Sequence, residues 1–230
     1  MIWIKSSKSW EVEHGLSMEN SHFDRKRHWE SVYRDKSAQQ TSWYQKEPSL
    51  SLLMIANVEL DHDAALIDVG GGASLLVDHL LGLGYRDLSV LDISRAALDQ
   101  ARERLGEEAS RVSWIEADVT SYVADRQFDL WHDRATFHFL TAKEDRLQYL
   151  RVLRKSLAPG GQAIIAAFAP TGPEKCSGLD IVQYDAVKLG DELGPGFILE
   201  EQEEESHVTP ANREQLFNFF RFRRTVEGKK

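Results

Sequence analysis

Leu66-Ile67-Asp68-Val69-Gly70-Gly71-Gly72-Ala73-Ser74 is an apolar run that ends in an acidic residue beside a valine and then meets three consecutive glycines. Residues 64–69 read as a buried strand, and residues 74–81 carry the spacing of a helix. Strand, tight turn and helix in this order let a backbone without Cβ atoms come close to a bound ligand. The turn is therefore a candidate nucleotide site.

The pattern repeats downstream. Residues 88–91, 112–115, 128–132 and 162–168 read as strands, and residues 94–105 and 143–157 as helices, the first capped by Ser94. Ala158-Pro159-Gly160-Gly161 is a turn signal. Strand–helix alternation implies a parallel, doubly wound α/β sheet with helices on both faces. Residues 185–193 suit a helix, and residues 197–206 and 215–224 suit two strands joined through Thr209-Pro210-Ala211-Asn212, a hairpin at the sheet edge.

Upstream, residues 23–57 are rich in aromatics and read as helical, with a break over 42–48. Residues 1–22 read as a flexible extension, with Met18 as a second possible start. The expected organisation is that extension followed by a single domain over 23–230. Within it, 23–57 form a helical cover, 64–168 a nucleotide-binding core, and 169–230 a loop and terminal hairpin on the acceptor side.

The 230-residue length suits one domain, and a net charge of −9 argues against a nucleic-acid backbone as partner, because that needs clustered Lys and Arg. A single cysteine, Cys176, rules out an intrachain disulfide and a cysteine-based metal cluster, so no metal is expected. No apolar run reaches the ~18 residues of a membrane span, and the N-terminal residues lack a secretory pattern. A cytoplasmic protein with no membrane partner is the expectation.

Which nucleotide is decided after the turn. A dinucleotide fingerprint wants a third glycine where Leu75 stands, and no Gly-Lys-Ser or Gly-Lys-Thr follows for a phosphate cradle. Asp92 closes the strand at Val90-Leu91-Asp92-Ile93, where a carboxylate can accept from both ribose hydroxyls. Asp118 closes the next strand at Ala117-Asp118-Val119, where it can meet an adenine amino group. Asp68 can orient the glycine loop or, through water, an ammonium. Together these suit an adenosine carrying an amino acid.

At these residues the chain resembles the class I S-adenosylmethionine-dependent methyltransferases. Asp68-Val69-Gly70-Gly71-Gly72 matches the glycine motif, Leu91-Asp92-Ile93-Ser94 the ribose motif, Ala117-Asp118-Val119 the adenine motif, and Leu157-Ala158-Pro159-Gly160-Gly161 the turn before the fifth strand. Gly71 departs from the cysteine or other small residue of many members. The resemblance implies a Rossmann-like seven-stranded sheet in the order 3-2-1-4-5-7-6 with the last strand antiparallel. It implies S-adenosylmethionine as cofactor and S-adenosylhomocysteine as product. It places Asp68, Gly70, Gly71, Gly72, Asp92, Ile93, Asp118, Val119 and His132 against the donor, with Trp43 and Tyr44 over it.

Methyl transfer from a sulfonium is an in-line displacement that needs alignment, exclusion of water and a deprotonated nucleophile. Phe128-Asp129-Leu130-Trp131-His132-Asp133-Arg134 leads to His138 and ends the fourth strand near the transferred methyl. His132, Asp133 and Arg134 are the candidate catalytic residues, with His132 or Asp133 able to take a proton. A purely structural role is the competing reading, with Asp133 and Arg134 as an ion pair and His138 packed on a helix. The segment is similar to thiopurine methyltransferases, which also carry an N-terminal aromatic cover, here Trp29, Tyr33 and Trp43-Tyr44-Gln45. The Trp-Tyr-Gln stretch is also similar to the lysine methyltransferase-like group. A thiol of pKa ~8.5 ionises more readily than an amine near ~10.4, which tilts the expectation to a small-molecule thiol or amine acceptor over a protein lysine. From other functional classes, an NAD-dependent oxidoreductase and a non-catalytic S-adenosylmethionine-binding module compete with this expectation. Cys176, in the loop after the fifth strand, reads as an ordinary small residue.

Overall fold

Asp24 stops the chain from starting a helix one residue earlier: its carboxylate accepts from the Arg27 N–H at 2.9 Å and caps α1, Arg25–Asp35. The computed structural model describes residues 24–226, so the expected extension over 1–22 and Met18 lie outside the described residues. From α1 the order is α2 (Ser49–Ala56), β1 (Ala65–Val69), α3 (Leu76–Gly82), β2 (Asp87–Asp92), α4 (Arg95–Leu105) and β3 (Val112–Glu116). It continues with β4 (Phe128–Arg134), α5 (Lys143–Ser156), β5 (Leu157–Phe168), β6 (Lys175–Cys176), β7 (Leu179–Asp180), α6 (Ala186–Leu193), β8 (Phe197–Val208) and β9 (Glu214–Arg224).

Seven strands form one sheet in the order β3-β2-β1-β4-β5-β9-β8. All pairs up to β5 are parallel, and β9 runs antiparallel to β5 and β8. Leaving aside the two-residue strands β6 and β7, which pair only with each other, this is the expected 3-2-1-4-5-7-6 sheet. Every residue of β1 is buried, because successive side chains alternate between two filled layers. Ile67 packs with Trp131, Tyr149, Leu153 and Phe220 on one face, and Leu66 with Leu80, Leu98, Phe168 and Phe219 on the other.

The boundaries shift where distant groups intervene. The helical cover breaks at Lys36, six residues before the expected break, because Gln100 on α4 takes over its end. The Gln100 amide donates to the Tyr33 and Lys36 carbonyls at 2.6 and 3.0 Å and accepts from the Ala38 N–H at 3.0 Å. A turn at Ala38–Gln40 follows, with the Ser37 N–H donating to Gln40 Oε1 at 2.9 Å. The expected turn at 158–161 is a bulge inside β5: Phe128 pairs with Leu157, whereas Leu130 pairs with Gln162. β4 runs two residues past the expected end, to Arg134. The loop after β5 contains the small β6–β7 hairpin, which was not expected.

Two features position the site. First, α1 is moored across the strand ends. Lys26 reaches Glu116 at 2.6 Å, and Glu30 accepts from Ser94 Oγ and the Ala96 N–H at 2.9 and 3.2 Å. The carboxylate thus serves the N-terminus of α4, where negative charge is favoured. Second, β8 is an edge strand carrying the acidic run Glu200 to Glu205. Arg221 of β9 pairs with Glu200 and Glu201 at 2.9 and 2.8 Å, and Arg223 with Glu200 at 2.5 Å, so much of this basic stretch is neutralised within the hairpin.

Candidate functional site

In an open sheet of this kind, ligands bind beyond the carboxyl ends of the strands where the order reverses, here between β1 and β4. The glycine turn lies at that point. Gly70 takes φ +68° and its N–H donates to the Leu91 carbonyl at 2.7 Å, which ties the turn to β2. A Cβ on Gly70 would stand 1.8 Å from Thr136 Oγ1; on Gly71, 2.4 Å from Asp68 Oδ2; on Gly72, 2.6 Å from Asp92 Oδ2. The glycines therefore admit the protein's own side chains as well as leaving backbone bare for a ligand.

Two adjoining cavities flank the turn. The first is lined by Gly70, Asp92, Ile93, Asp118 and Val119, and roofed by Trp29, Tyr33 and Trp43. The second is lined by Asp68, Gly70, Gly71 and His132 beneath Trp43, Tyr44 and Ser51. Tyr33, Trp43, Gly70 and Arg134 belong to both. Gly72 lines neither. The roof is an aromatic cluster: Trp29 meets Trp43 and Phe139 edge-on with centroids 5.7 and 4.8 Å apart, and Trp43 Nε1 donates to the Tyr33 hydroxyl at 3.1 Å.

Asp92 is buried, with Oδ1 accepting from the Ser94 N–H at 2.8 Å. Burial pushes its carboxyl up to about 7; the Ser94 N–H works against this, and the nearby Asp68 and Glu30 add to it. Such a carboxylate gains from accepting further hydroxyl donors, as a ribose diol would offer. Asp118 is already engaged. Its Oδ1 accepts from the Thr120 N–H and hydroxyl at 2.9 and 2.7 Å, and its Oδ2 lies 3.0 Å from Arg25, which also reaches Asp145 at 3.1 Å. An adenine amino group there would share Asp118 with Arg25.

The three candidate catalytic residues separate by strand alternation. His132 Nδ1 lies 2.7 Å from Asp68 Oδ1 and Nε2 lies 2.9 Å from Ser51 Oγ. The carboxylate can only accept, so Nδ1 carries a proton, and in the neutral ring Nε2 accepts from the serine. Both ring nitrogens are thus occupied, and the ring fixes Asp68. Asp133 is wholly buried on the opposite face and lines neither cavity. It accepts from the Thr136 N–H at 2.9 Å, the Phe137 N–H at 3.1 Å and the Tyr149 hydroxyl at 2.6 Å. Burial raises its carboxyl to about 6, against the pull of these donors. Arg134 does not pair with Asp133; it lies 3.3 Å from Glu205 and faces both cavities. His138 is buried between Phe139 and Phe168, outside both cavities, and burial lowers its pKa to about 3.

Cys176 is buried on β6, and burial pushes its thiol up to about 11. Among the described residues, no group of three or more His, Cys, Asp or Glu is placed to hold a metal, and no helix is long and apolar enough to cross a membrane. The sequence pattern did not single out Arg25, Ser51, Thr136 or Glu205. Ser51 alone carried a signal, a polar residue within the apolar helix Ser49–Ala56, where a buried hydroxyl calls for a partner.

The arrangement fits an S-adenosyl donor. Bare glycine backbone, a buried carboxylate at the end of β2 and an aromatic roof meet in one cleft. Comparisons with known proteins agree. Residues 66–161 match a family described as a methyltransferase domain. The chain is 25% identical over 138 residues to the eEF1A lysine and N-terminal methyltransferase of Mus musculus, a match spanning 60% of this chain and 19% of that protein. The chain thus spans about a fifth of that curated relative. Among solved structures, one described as the conversion of a disulfide bond into a thioacetal group during echinomycin biosynthesis superposes with a TM-score of 0.71 at 21% identity, covering 88% of this chain and 94% of that one. The Burkholderia thailandensis 1,6-didemethyltoxoflavin-N1-methyltransferase, with bound S-adenosylhomocysteine, superposes with a TM-score of 0.63 at 18% identity, covering 87% and 84%.

Proposed function

We propose that the chain, whose residues 66–161 match a methyltransferase domain, is a class I S-adenosylmethionine-dependent methyltransferase that moves the methyl group by in-line displacement to a small-molecule nucleophile, a thiol or an amine. The observation that carries this reading is the closure of the roof. Residues 42–45 are fastened to the sheet edge: His207 Nε2 donates to the Ser42 carbonyl at 2.8 Å, Gln45 donates to Glu205 at 2.9 Å and Arg134 donates to the Trp43 carbonyl at 3.0 Å. A roof held at both ends leaves room for the donor and a compact acceptor, and it excludes water from the reaction. Of the described residues, 24–57 act as this cover, 64–168 hold the donor, and 169–226 wall the acceptor side.

The donor, when bound, supplies a methyl group already activated on a sulfonium. The chain's own work is then to bind, orient and desolvate. Asp92 accepts from the ribose hydroxyls, and Asp118, Ile93 and Val119 border the base. Gly70 and Gly71 give the amino-acid arm its bed, beside an Asp68 held still by His132. Asp133 shapes the turn that carries Arg134 and Thr136 to the cavity wall, which makes it a positioning residue. A thiol acceptor needs little help to ionise, consistent with His132 having both nitrogens engaged.

Protein lysine methylation is the second reading. It is favoured by the similarity to the eEF1A lysine and N-terminal methyltransferase and by a net charge of −9 that suits a basic acceptor. A transfer screen with labelled donor against small thiols, small amines and a cell lysate separates the two. Label entering small molecules is expected, and label landing only on protein overturns the small-molecule reading. Calorimetric binding of NAD without binding of S-adenosylhomocysteine would overturn both.

Asp92→Ala is expected to weaken S-adenosylhomocysteine binding by about 1.5–3 kcal/mol, the loss of charge-assisted hydrogen bonds. The same carboxylate sets a pH dependence. With its pKa raised to about 7, Asp92 takes up a proton as pH falls from 8 to 6 and loses acceptor strength, so the affinity falls with it. Calorimetry across this range should show that slope in the wild type and a flat profile in Asp92→Asn. Equal slopes would remove Asp92 from the ribose site.

A further inference from the structure

One face of α4 holds two walls of the cleft at once. Ala97, Gln100 and Arg104 follow one another at spacings of three and four residues, which puts them on the same side of the helix. Gln100 holds the roof. Its amide donates to the Tyr33 and Lys36 carbonyls at 2.6 and 3.0 Å and accepts from the Ala38 N–H at 3.0 Å. Arg104 holds the far end of the glycine turn, with Nη1 donating to the Ala73 carbonyl at 2.9 Å and Nη2 to the Ser74 carbonyl at 2.7 Å. Its Nε and Nη2 also reach the two oxygens of Asp78, in the first turn of α3, at 2.9 and 2.8 Å. Asp78 offsets a positive charge that would otherwise stand unfavourably at the N-terminus of α3.

Tyr33 and Ala38 line the second cavity from the roof, and Ala73 and Ser74 line it from the turn. Gln100 and Arg104 line neither cavity, so they act on a ligand there only through the backbone they hold. Between the two grips, Ala97 packs against the turn: a Cβ on Gly72 would stand 3.1 Å from its Cβ. Tyr33, Ala38, Ala73 and Ala97 form a buried cluster of their own that joins roof, turn and α4. Alanines bring little apolar area to such a cluster, so the polar grips bear much of the joining. One helix face thereby sets the distance between roof and turn.

We propose that Gln100 and Arg104 are positioning residues that fix the height of the cover above the glycine turn, and so set how tightly the cleft closes on its donor. This rests on the methyltransferase reading and extends it to two side chains outside the cleft.

Calorimetry on the full chain is the test, with S-adenosylhomocysteine and with adenosine, a ligand without the amino-acid arm. Gln100→Glu keeps the size and an acceptor for the Ala38 N–H but cannot donate to the Tyr33 and Lys36 carbonyls. Arg104→Gln cannot span Asp78 and both carbonyls. Each is expected to bind S-adenosylhomocysteine about tenfold more weakly, with adenosine affinity changed by less than about threefold. Arg104→Lys, which keeps the charge but not the fork, should lose about threefold, and as the mildest change it carries the comparison by itself if the others do not fold. Because both residues set one spacing, the double variant should lose about thirtyfold, short of the roughly hundredfold of independent sites. Wild-type affinity in the single variants overturns the proposal. So does an equal loss for both ligands, which marks a general loosening of the fold, and so does a double variant that loses the full product. If wild type does not bind S-adenosylhomocysteine at all, the methyltransferase reading itself falls and takes this assignment with it.

Discussion

Asp133→Ala is expected to lower the stability of the protein by about 3–5 kcal/mol. The substitution would leave the Tyr149 hydroxyl and the Thr136 and Phe137 N–H groups without their acceptor in a fully buried layer. Each unpaired buried donor costs about 1–3 kcal/mol. Trp131 Nε1 also donates to the Tyr149 hydroxyl at 2.8 Å, so the loss spreads to a second ring. Denaturant unfolding measures the change. Asp133→Asn keeps one acceptor oxygen and should lose less. The carboxyl also leaves a mark on the pH dependence. Its folded pKa is raised to about 6, above the unfolded value of ~3.9, so its contribution to stability is complete below about pH 4 and is lost as pH rises through 6. Asp133→Asn should remove that component between pH 4 and 6. A variant that unfolds like wild type would mean that these buried donors find another acceptor.

Gly70→Ala is the second large effect, expected at about 2–4 kcal/mol. Part comes from φ +68°, which an L-side chain adopts at a cost of about 1 kcal/mol. The rest comes from overlap, because the added methyl would fall 1.8 Å from Thr136 Oγ1, and forced overpacking costs about 1–3 kcal/mol. Thr136 also donates to the Val69 carbonyl at 3.2 Å, so displacing it breaks a bond between the end of β1 and the loop after β4. Gly70→Ala combined with Thr136→Ala should recover part of the overlap and none of the φ strain. Thermal unfolding of the single and double variants tests the split. No recovery would mean that backbone conformation alone makes glycine necessary here.

Much of the fold was legible because it depends on local pattern. The apolar run before Gly70, the Ser94 cap and the turn residues each act within a few positions, whereas the sheet order came from the resemblance of four motifs to a known family. What was misplaced depends on distant groups. Gln100 ends α1 from more than sixty residues away, and the pairing of Phe128 with Leu157 turns an expected loop into a bulge. The site divides in the same way. Asp92 ends β2 and was found from the strand boundary, whereas Asp118, expected to close β3, lies two residues past its end at Glu116. Arg25 and Ser51 reach the cleft through packing, and Glu205 bears on it only through its contacts with Arg134 and Gln45. The grouping of His132, Asp133 and Arg134 overlooked a signal that was present: neighbours on a strand face opposite sides, so Asp133 had to part from the other two.

The edge strand β8 also bears on what another strand would meet there. A twelve-residue edge offers a row of unpaired backbone groups to any passing strand. Glu203 and Glu204 are exposed along it, while Glu200 and Glu201 are bound to arginines of its own hairpin. Two such edges brought side by side would set carboxylate against carboxylate. The acidic run thus makes strand addition by another copy electrostatically unfavourable.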